Sequence, residues 1–411
     1  METSKPRDVA KKFRNKLSRS NKPLPNADLD TFEEEESVSP LEAATESPSG
    51  FSESEIAERL GYSEETMYKF IEQYLGNDPK MKEIADKIIR DAPDHMRAVA
   101  NDDEAHLERF PESTNVLEVI VETDGSRPSF MIRNGEVDLD SSPLGEWGDA
   151  IRSGGQNLKR AIECTGRINT GDKHIGTGFL IHRNLIVTNR HVLQSIGRQK
   201  NDGSWELRPN ANIDFGYEFK GVTSRNRRKL TSLVYTGTKT IDRFSLDHSK
   251  LDLAVIQLID APDENVPQHL LNWNKGTAWT WPGSDIFIIG YPGDPRALNV
   301  PDYTATLLDQ LFQTTFGCKR LAPGKIMERD NDDLEWTLKH DATTLGGNSG
   351  SVIVPLASEL KASALHYGGD LSKPRENWGH ILGLVLEVKD AQNKTLREFL
   401  ESNNIGVGDD D

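Results

Sequence analysis

A histidine at the end of two short apolar runs constrains this chain more than any other feature. The first run, 176–181, is spaced by glycines, and the second, 185–188, leads into Asn189, Arg190 and His191. Short apolar runs bounded by turn residues are typical of β-strands. The pattern therefore predicts a pair of strands that delivers an imidazole at its end. Alone, a histidine in such a place is more often structural than catalytic.

Two later segments complete a pattern with this histidine. The segment 251–256 is apolar except for Asp252, and the segment 346–351 surrounds Ser349 with glycines. The chain therefore carries His, Asp and Ser in one of the few orders known for this set of residues. The intervals between the three residues leave room for one β-barrel between the first pair and for a second barrel around the serine.

The three residue types suit hydrolysis by a nucleophile. A serine hydroxyl is weak at neutral pH, so an imidazole must take its proton during attack and return it to the leaving amine. A carboxylate fixes the useful imidazole tautomer. These needs predict Ser349 as nucleophile, His191 as base and Asp252 as the residue that orients the histidine. Asp242 and Asp247 lie close enough in the chain to compete with Asp252.

The glycines around Ser349 have a use of their own. Backbone N–H groups beside the nucleophile must point at the developing oxyanion, and glycine permits the backbone angles that this requires. The N–H groups of Gly347 and Ser349 are the expected oxyanion hole. On its own, the segment 347–350 is also compatible with a simple turn.

The region from about residue 158 to 403 resembles the trypsin-like serine peptidases, and within them the glutamyl endopeptidase (V8-like) branch. The resemblance implies a mainly β fold of two six-stranded β-barrels, with an active site in the cleft between them. The matching segments are 176–178, 188–191, 251–255, 289–293, 343–351 and 365–369.

That branch also implies a substrate preference. In it, a threonine five residues before the nucleophile and a histidine before a Gly-Gly pair line the pocket for the side chain preceding the cut. Here the substrate-binding residues would be Thr344, His366, Tyr367, Gly368 and Gly369. A hydroxyl and a protonated imidazole suit Glu or Asp, a preference that should weaken as pH rises. The alternative is that His366 only fills the base of the pocket.

The chain departs from known relatives in two ways, one at its N-terminal side and one beside the nucleophile. Secreted members use a free α-amino group near the pocket, whereas this chain carries a long extension. Digestive members carry an aspartate before the nucleophile, whereas this chain has Asn348. Activation through an ion pair at that position is therefore not expected. Control should come from the N-terminal region or from substrate binding.

Composition fits an enzyme that needs no cofactor and no metal. The 411 residues contain 10 histidines without metal-ligand spacing, two cysteines (Cys164 and Cys318) and a net charge of −17. Few cysteines indicate a reducing compartment, and the acidic balance argues against nucleic acid as a partner. Neither a secretory leader nor a membrane span is expected. The expected setting is cytoplasmic, and the expected partner is a protein or peptide substrate.

Shifts in composition divide the chain into five parts. The predicted parts are a disordered tail at 1–50, a helical module at 51–110, a small β appendage and lead-in helix at 111–157, the peptidase domain at 158–405 and an acidic tail at 406–411. The first tail cannot bury enough apolar area to offset the entropy of ordering. Residues 55–66 resemble a helix-turn-helix, but their acidity is wrong for DNA, which favours a protein partner through 51–110.

Local signals place several elements. Ser52 and Glu55 predict a capping box, and Pro93 is expected to end a helix that begins near residue 80. Asp124 and Gly125 offer a hairpin turn. The remaining predictions are a strand at 116–121, a helix from about 144 to 164, a last strand at 382–388 and a C-terminal helix at 395–402.

Two other hypotheses remain open from the sequence. In the first, the barrels bind peptide segments without cutting them, because the presence of three residue types does not show that they are aligned. In the second, the chain is a signalling adaptor that acts through residues 51–110, with the peptidase as its effector.

Overall fold

Two sets of antiparallel strands and an N-terminal group of helices make up the computed structural model of the protein. The predicted mainly β fold is confirmed, and the predicted tail at 1–50 lies outside the described residues. The structure describes residues 52–74, 77, 79–101, 103–110, 116–117, 119–120, 123–219, 226–242, 247–262, 266–292, 317–328, 336–344, 348–356, 361–369, 377–405 and 407–408. Within these ranges, no helix is both long and apolar enough to span a bilayer.

The N-terminal helices share a core of their own. They are α1 Glu53–Tyr74, α2 Pro79–Ala100 and α3 Glu104–Arg109. Ile71, Ile88 and Met96 pack together in a cluster separate from the barrel cores. The predicted capping box is confirmed, because the Glu55 N–H donates to Ser52 Oγ (3.2 Å) and the Ser52 N–H donates to Glu55 Oε2 (2.7 Å).

Helix α2 runs through Pro93, so the prediction that this proline ends the helix is wrong. A proline inside a helix costs about 3 kcal/mol, because it lacks an N–H and its ring crowds the preceding turn. Ala92, Met96 and Val99 beside it are fully buried. Their burial offsets the cost and keeps the helix continuous.

Residues 116, 117, 119 and 120 are helical, so the prediction of a strand at 116–121 is wrong. Val116, Leu117, Val119 and Ile120 are all buried in the core of the helices. Residues three and four apart share one face of a helix, whereas a strand would bury every second residue. Packing against the other helices therefore overrides the strand propensity of this run.

A hairpin follows the helices. Its strands are β1 Phe130–Arg133 and β2 Glu136–Val137. The turn is made by Asn134 and Gly135, whose φ angles of 54° and 76° suit a type I′ turn. The prediction of a hairpin turn at Asp124 and Gly125 is therefore wrong. Gly125 also has a positive φ (86°), but there the chain bends from the helices towards β1.

The first set of strands closes into the predicted six-stranded barrel. The 3₁₀ turn Gly145–Trp147 and helix α4 Gly148–Cys164 lead into it, as predicted. The elements that follow are β3 Thr165–Thr170, β4 Lys173–His182, β5 Leu185–Thr188, α5 Arg190–Ile196, β6 Gly197–Gln199, β7 Trp205–Leu207, β8 Ala211–Asp214, β9 Arg227–Thr236 and β10 Ala254–Leu258. The order around the barrel is β10-β5-β4-β3-β8-β9. Ile168, Phe179 and Val187 are fully buried in its core.

The second set of strands forms one sheet of eight. Its order is β14-β17-β16-β15-β12-β13-β1-β2. The strands beyond the first barrel are β11 Trp273–Asn274, β12 Asp285–Gly290, β13 Arg320–Lys325, β14 Thr337–His340, β15 Val352–Pro355, β16 Ala364–Gly369 and β17 Asn377–Ile381. A bridge between Ile326 and His340 joins the ends of the six-strand part. The N-terminal hairpin therefore extends the second barrel, with Phe130 opposite Leu321.

The C-terminal residues pack back on the barrels. Helix α6 Leu396–Ser402 begins at a capping box of Thr395 and Glu398, which confirms the predicted C-terminal helix. The predicted strand at 382–388 is instead a series of turns, because Val385 and Leu386 are buried by core packing rather than by strand pairing. Two residues of the predicted acidic tail form β18 Val407–Gly408, parallel to β11.

Candidate active site

His191 lies in the first turn of helix α5, directly after strand β5. Asn189 precedes the helix with an extended backbone (φ −81°, ψ 152°), and its side-chain N–H donates to the backbone oxygen of Asp252 (2.9 Å). This bond ties the start of the helix to the segment before β10. The imidazole is held at the rim of the first barrel, and the side chain is 9% exposed.

Asp252 is the carboxylate that the structure places against His191. Its Oδ2 lies 2.6 Å from His191 Nδ1, and its Oδ1 accepts a bond from the His191 backbone N–H (2.9 Å). Burial alone would raise the pKa of this carboxyl. The adjacent imidazole and the bonds donated by His191 instead hold that pKa below its ordinary value.

Strand register explains why Asp252 meets the histidine. Ala254 of β10 pairs with Thr188 of β5, so the residues just beyond these two strand ends lie side by side. The competing Asp247 is exposed and accepts bonds from the Ser249 backbone and hydroxyl. Its carboxylate is therefore engaged in a local turn.

His380 of β17 supports Asp252 and was not singled out from the sequence. The backbone N–H of Asp252 donates to His380 Nε2 (3.0 Å), so this bond requires an unprotonated ring nitrogen. Burial lowers the pKa of His380 to about 4, although the nearby Asp252 opposes the shift. In the described part of the chain, His380 Nδ1 has no hydrogen-bond partner. A lone histidine in a distant strand gives no sequence signal for such a contact.

Tyr367 turns its side chain towards His380. The two rings are stacked, with centroids 4.2 Å apart, and the Tyr367 hydroxyl lies 2.6 Å from His248 Nδ1. The tyrosine forms a bulge in β16 between His366 and Gly368. Its side chain therefore packs on the ring of His380, while the following Gly368 and Gly369 carry the strand towards the surface.

Thr177 of the glycine-spaced run is the junction between the serine turn and the first barrel. Its N–H donates to the backbone oxygen of Ser349 (2.8 Å), and its own oxygen accepts from the Thr188 hydroxyl (2.7 Å). Its Oγ1 accepts from the Tyr291 N–H (3.2 Å). One residue therefore joins several of the segments that the sequence singled out.

Two glycines permit this close approach. A Cβ at Gly176 would lie 3.1 Å from the backbone oxygen of Ser349. Gly350 has a φ of 92°, and a Cβ there would overlap the carbonyl oxygen of Thr177. Its N–H donates to the backbone oxygen of His366 (2.9 Å). Both close packing and a backbone that L-side chains rarely adopt therefore require glycine after the serine.

Ser349 is partly exposed at this turn. Among the described contacts, no hydrogen bond joins its Oγ to His191 Nε2. Such bonds are often long before substrate binds and tighten in the complex. Gly347 lies outside the described residues, so the oxyanion hole stays a prediction.

Thr344 and His366 are both buried, and one pair of strands links them. Thr344 Oγ1 donates to Asn377 Oδ1 (2.5 Å), and His366 Nδ1 lies 3.3 Å from His340 Nε2. Asn377 and His340 face each other in the register of β14 and β17. The two predicted pocket residues therefore contact adjacent strands at the same level.

His366 is neutral near neutral pH, so the expectation of a protonated imidazole is wrong. Burial, reinforced by the neighbouring His191, lowers its pKa to about 3. The neutral ring can still donate one N–H. The Thr344 hydroxyl already donates to Asn377, which leaves His366 as the more available donor.

The described residues contain no group of three or more His, Cys, Asp or Glu side chains that could hold a metal ion. Cys164 and Cys318 are free thiols. Burial raises the pKa of Cys164 to about 12 and also raises the pKa of Cys318. Both are therefore protonated at neutral pH, which is the unreactive form of cysteine.

Comparison with known proteins gives a family match over part of the two barrels. Residues 176–360 match the family model of the trypsin-like peptidase domain. The chain is 29% identical over 275 residues to a probable serine protease of Lysobacter enzymogenes, across 62% of this chain and 69% of that protein. These findings support a trypsin-like serine protease. They do not distinguish the glutamyl endopeptidase branch from others.

Three solved structures that are similar to this chain are each less than 20% identical to it. A Glu endopeptidase in complex with MPD has a TM-score of 0.39 at 19% identity, over 59% of this chain and 91% of that one. Neuropsin from mouse brain has a TM-score of 0.38 at 14% identity, over 55% and 92%. Human heparin binding protein has a TM-score of 0.40 at 14% identity, over 61% and 96%.

Proposed function

We propose that the protein is a serine endopeptidase that cuts peptide bonds through an acyl-enzyme. Ser349 is the nucleophile, His191 the base and Asp252 the residue that orients the histidine. The observation that carries this proposal is the 2.6 Å contact between His191 and Asp252. It is supported by the hydrogen bond between the Ser349 backbone and Thr177, which belongs to the barrel that also carries His191 and Asp252.

The proposed proton path runs through His191. With Asp252 at Nδ1, the ring proton stays on that nitrogen, and Nε2 accepts the Ser349 proton as Oγ attacks the carbonyl carbon. The N–H groups of Gly347 and Ser349 stabilise the oxyanion. The C–N bond then breaks, and Nε2 returns the proton to the leaving amine. Water repeats the sequence to release the acid and restore the serine.

Replacement and labelling of the serine test this proposal. Ser349→Ala should lower kcat/KM by about three orders of magnitude or more, because only binding and oxyanion contacts remain. Ser351→Ala is the matched control, a buried serine whose hydroxyl contacts Asn348 (3.5 Å). An organophosphorus fluoride should attach to Ser349, as read from peptide masses. Parent-like cleavage by Ser349→Ala, or labelling of another serine, contradicts the assignment.

We also propose a preference for Glu or Asp before the cut, with His366 as the principal donor. His340 Nε2 and His366 Nδ1 share one proton. When His340 supplies it, the remaining proton of His366 is on Nε2 and can be donated to a substrate carboxylate. Thr344 contributes less, because its hydroxyl must first leave Asn377.

Matched peptides that differ only as Glu or Gln before the cut test this preference. His366→Ala should lower kcat/KM for the Glu peptide by about one to two orders of magnitude, because a charge-assisted bond contributes about 1.5–3 kcal/mol. The loss with the Gln peptide should be much smaller. The Glu to Gln ratio of the parent should stay flat between about pH 6 and 8, since the pKa of His366 is about 3. Equal losses with both peptides would make His366 a pocket wall.

We propose that the protein acts in a reducing compartment, the cytoplasm. Support comes from Cys164 and Cys318, both of which are free thiols. Acid quenching of intact cells followed by alkylation of the unfolded chain tests this, because a cytoplasmic chain should show both cysteines reduced. Recovery of the chain in the medium would contradict the proposal.

A further inference from the structure

A short loop joins the N-terminal helices to the second barrel. We call residues 124–127 the coupling loop. Arg59 of α1 holds its start, because Nη1 lies 2.8 Å from Asp124 Oδ2 and 3.2 Å from Ser126 Oγ. The Ser126 N–H in turn donates to Asp124 Oδ1 (2.8 Å). Arg59 is 5% exposed, so this anchor is a buried one.

The other end of the coupling loop holds the segment that enters the serine turn. Arg127 is fully buried, and its guanidinium makes a two-point contact with Asp341, with Nε to Oδ1 at 2.9 Å and Nη2 to Oδ2 at 2.8 Å. Thr343 Oγ1 donates to the backbone oxygen of Arg127 (2.8 Å). Asp341 Oδ1 also accepts the Lys325 N–H (2.7 Å). Both side chain and backbone of Arg127 therefore fix residues 341 and 343.

The position of this contact gives it a consequence for the proposed catalysis. Residues 341–344 follow strand β14, contain the predicted pocket residue Thr344 and lead towards Ser349. The residue before Ser349 is the uncharged Asn348, so no carboxylate stands there to be anchored by a cation. The two-point pair of Arg127 and Asp341 fixes both the distance and the angle between the loop and this segment.

We propose that Arg127 is a positioning residue that orders the chain entering the Ser349 turn, and that α1 holds Arg127 in place through Arg59. This inference rests on the proposed peptidase activity. In this proposal the helical module is an internal activator, because the contact of Arg59 with the coupling loop determines the alignment of Ser349. Release of Arg59 should lower the rate of acylation while the barrels stay folded.

The rate at which a small organophosphorus fluoride labels Ser349 measures this alignment. The reagent needs the nucleophile and the oxyanion donors but does not fill the side-chain pocket. Arg127→Met with Asp341→Leu removes both charges at once, so neither charge is left buried without its partner. We expect labelling and kcat to fall at least tenfold in this double variant. In Arg127→Ala, added guanidinium should restore part of the labelling rate.

Arg228→Met is the matched control, because Arg228 is a buried arginine of β9 that donates to the backbone oxygens of Arg183 and Ile259. It should lower the melting temperature and leave labelling of the folded protein unchanged. Arg59→Gln in the full chain tests whether α1 holds Arg127 in place through Arg59. It also serves as the deciding variant if the double variant does not fold. We expect slower labelling there too.

The possible results separate the inference from the proposed function. Parent-like labelling in the folded double variant overturns the positioning role of Arg127, and parent-like labelling in Arg59→Gln overturns its dependence on α1. In either case Ser349→Ala still shows the activity to be real. An equal fall in the Arg228→Met control overturns it as well, because the effect would then be general destabilisation. If the parent chain itself is not labelled at Ser349, the proposed peptidase function fails first.

Discussion

The bond between Asp252 and His380 can be tested with side chains that keep or remove its acceptor. His380→Gln offers an oxygen near the place of Nε2, whereas His380→Leu offers none. In the leucine variant the buried N–H of Asp252 loses its partner, which costs about 1–3 kcal/mol. If that cost is relieved by a shift of Asp252 away from His191, kcat should fall about 10- to 100-fold. Glutamine should recover most of this loss.

The same bond predicts a pH dependence of stability. The pKa of His380 is about 4 in the folded protein against an ordinary value of 6.5. Between these values the unfolded chain binds more protons than the folded one, so stability is full above pH 6.5 and falls as the pH drops towards 4. The shift corresponds to about 3 kcal/mol. Of the groups facing this ring, Asp252 raises its pKa and His248 lowers it, while Tyr367 stacks on it.

Peptide kinetics and urea unfolding, each at about pH 7 and about pH 4.5, measure both effects. His380→Gln should lose less unfolding free energy than the parent between the two pH values, because its side chain does not titrate. Tyr367→Phe is the control, since it keeps the ring stack and removes the hydroxyl that contacts His248. A folded leucine variant with the kcat of the parent would refute the reasoning. So would a glutamine variant as slow as the leucine one.

Two further predictions follow from the site. Asp252→Asn should lower kcat by about four orders of magnitude because the wrong imidazole tautomer is favoured, while Asp247→Asn should keep the activity of the parent. Steady-state rates of both variants on one peptide measure this difference, and equal losses would count against the pairing of Asp252 with His191. Gly350→Ala should destabilise the protein by at least about 1–2 kcal/mol from the φ of 92° at residue 350 alone, and the overlap with Thr177 adds to this cost. Urea unfolding measures the loss, and an unchanged midpoint of unfolding would contradict the described turn.

The sequence predicted the parts of the site that depend on local constraint. Glycine at 176 and 350 is required by close approach, and the capping residue Ser52 acts on its own helix. Such constraints restrict the residue types at neighbouring positions, so the sequence alone was enough to single out these residues. The choice of Asp252 over Asp247 needed the register of β10 on β5, which the sequence could suggest only through the chain order of the motif.

Contacts between distant segments were beyond the sequence. His380 meets Asp252 across 128 residues, and Arg127 meets Asp341 across 214. A single histidine or arginine carries no periodicity that could indicate its partner. The helical residues 116, 117, 119 and 120 were misjudged for a related reason, because the i, i+1, i+3, i+4 spacing of the apolar residues was outweighed by strand propensity.

Because β1 pairs with the edge of β13, the peptidase region depends on residues that lie before it in the chain. A chain beginning at residue 158 would lack β1, and the N–H and C=O groups of β13 that now pair with it would face solvent. Unpaired edges of this kind recruit strands from other molecules. Asp341 would at the same time lose its cation. We therefore expect such a shortened chain to aggregate, so that the smallest unit able to fold alone reaches back at least to the coupling loop.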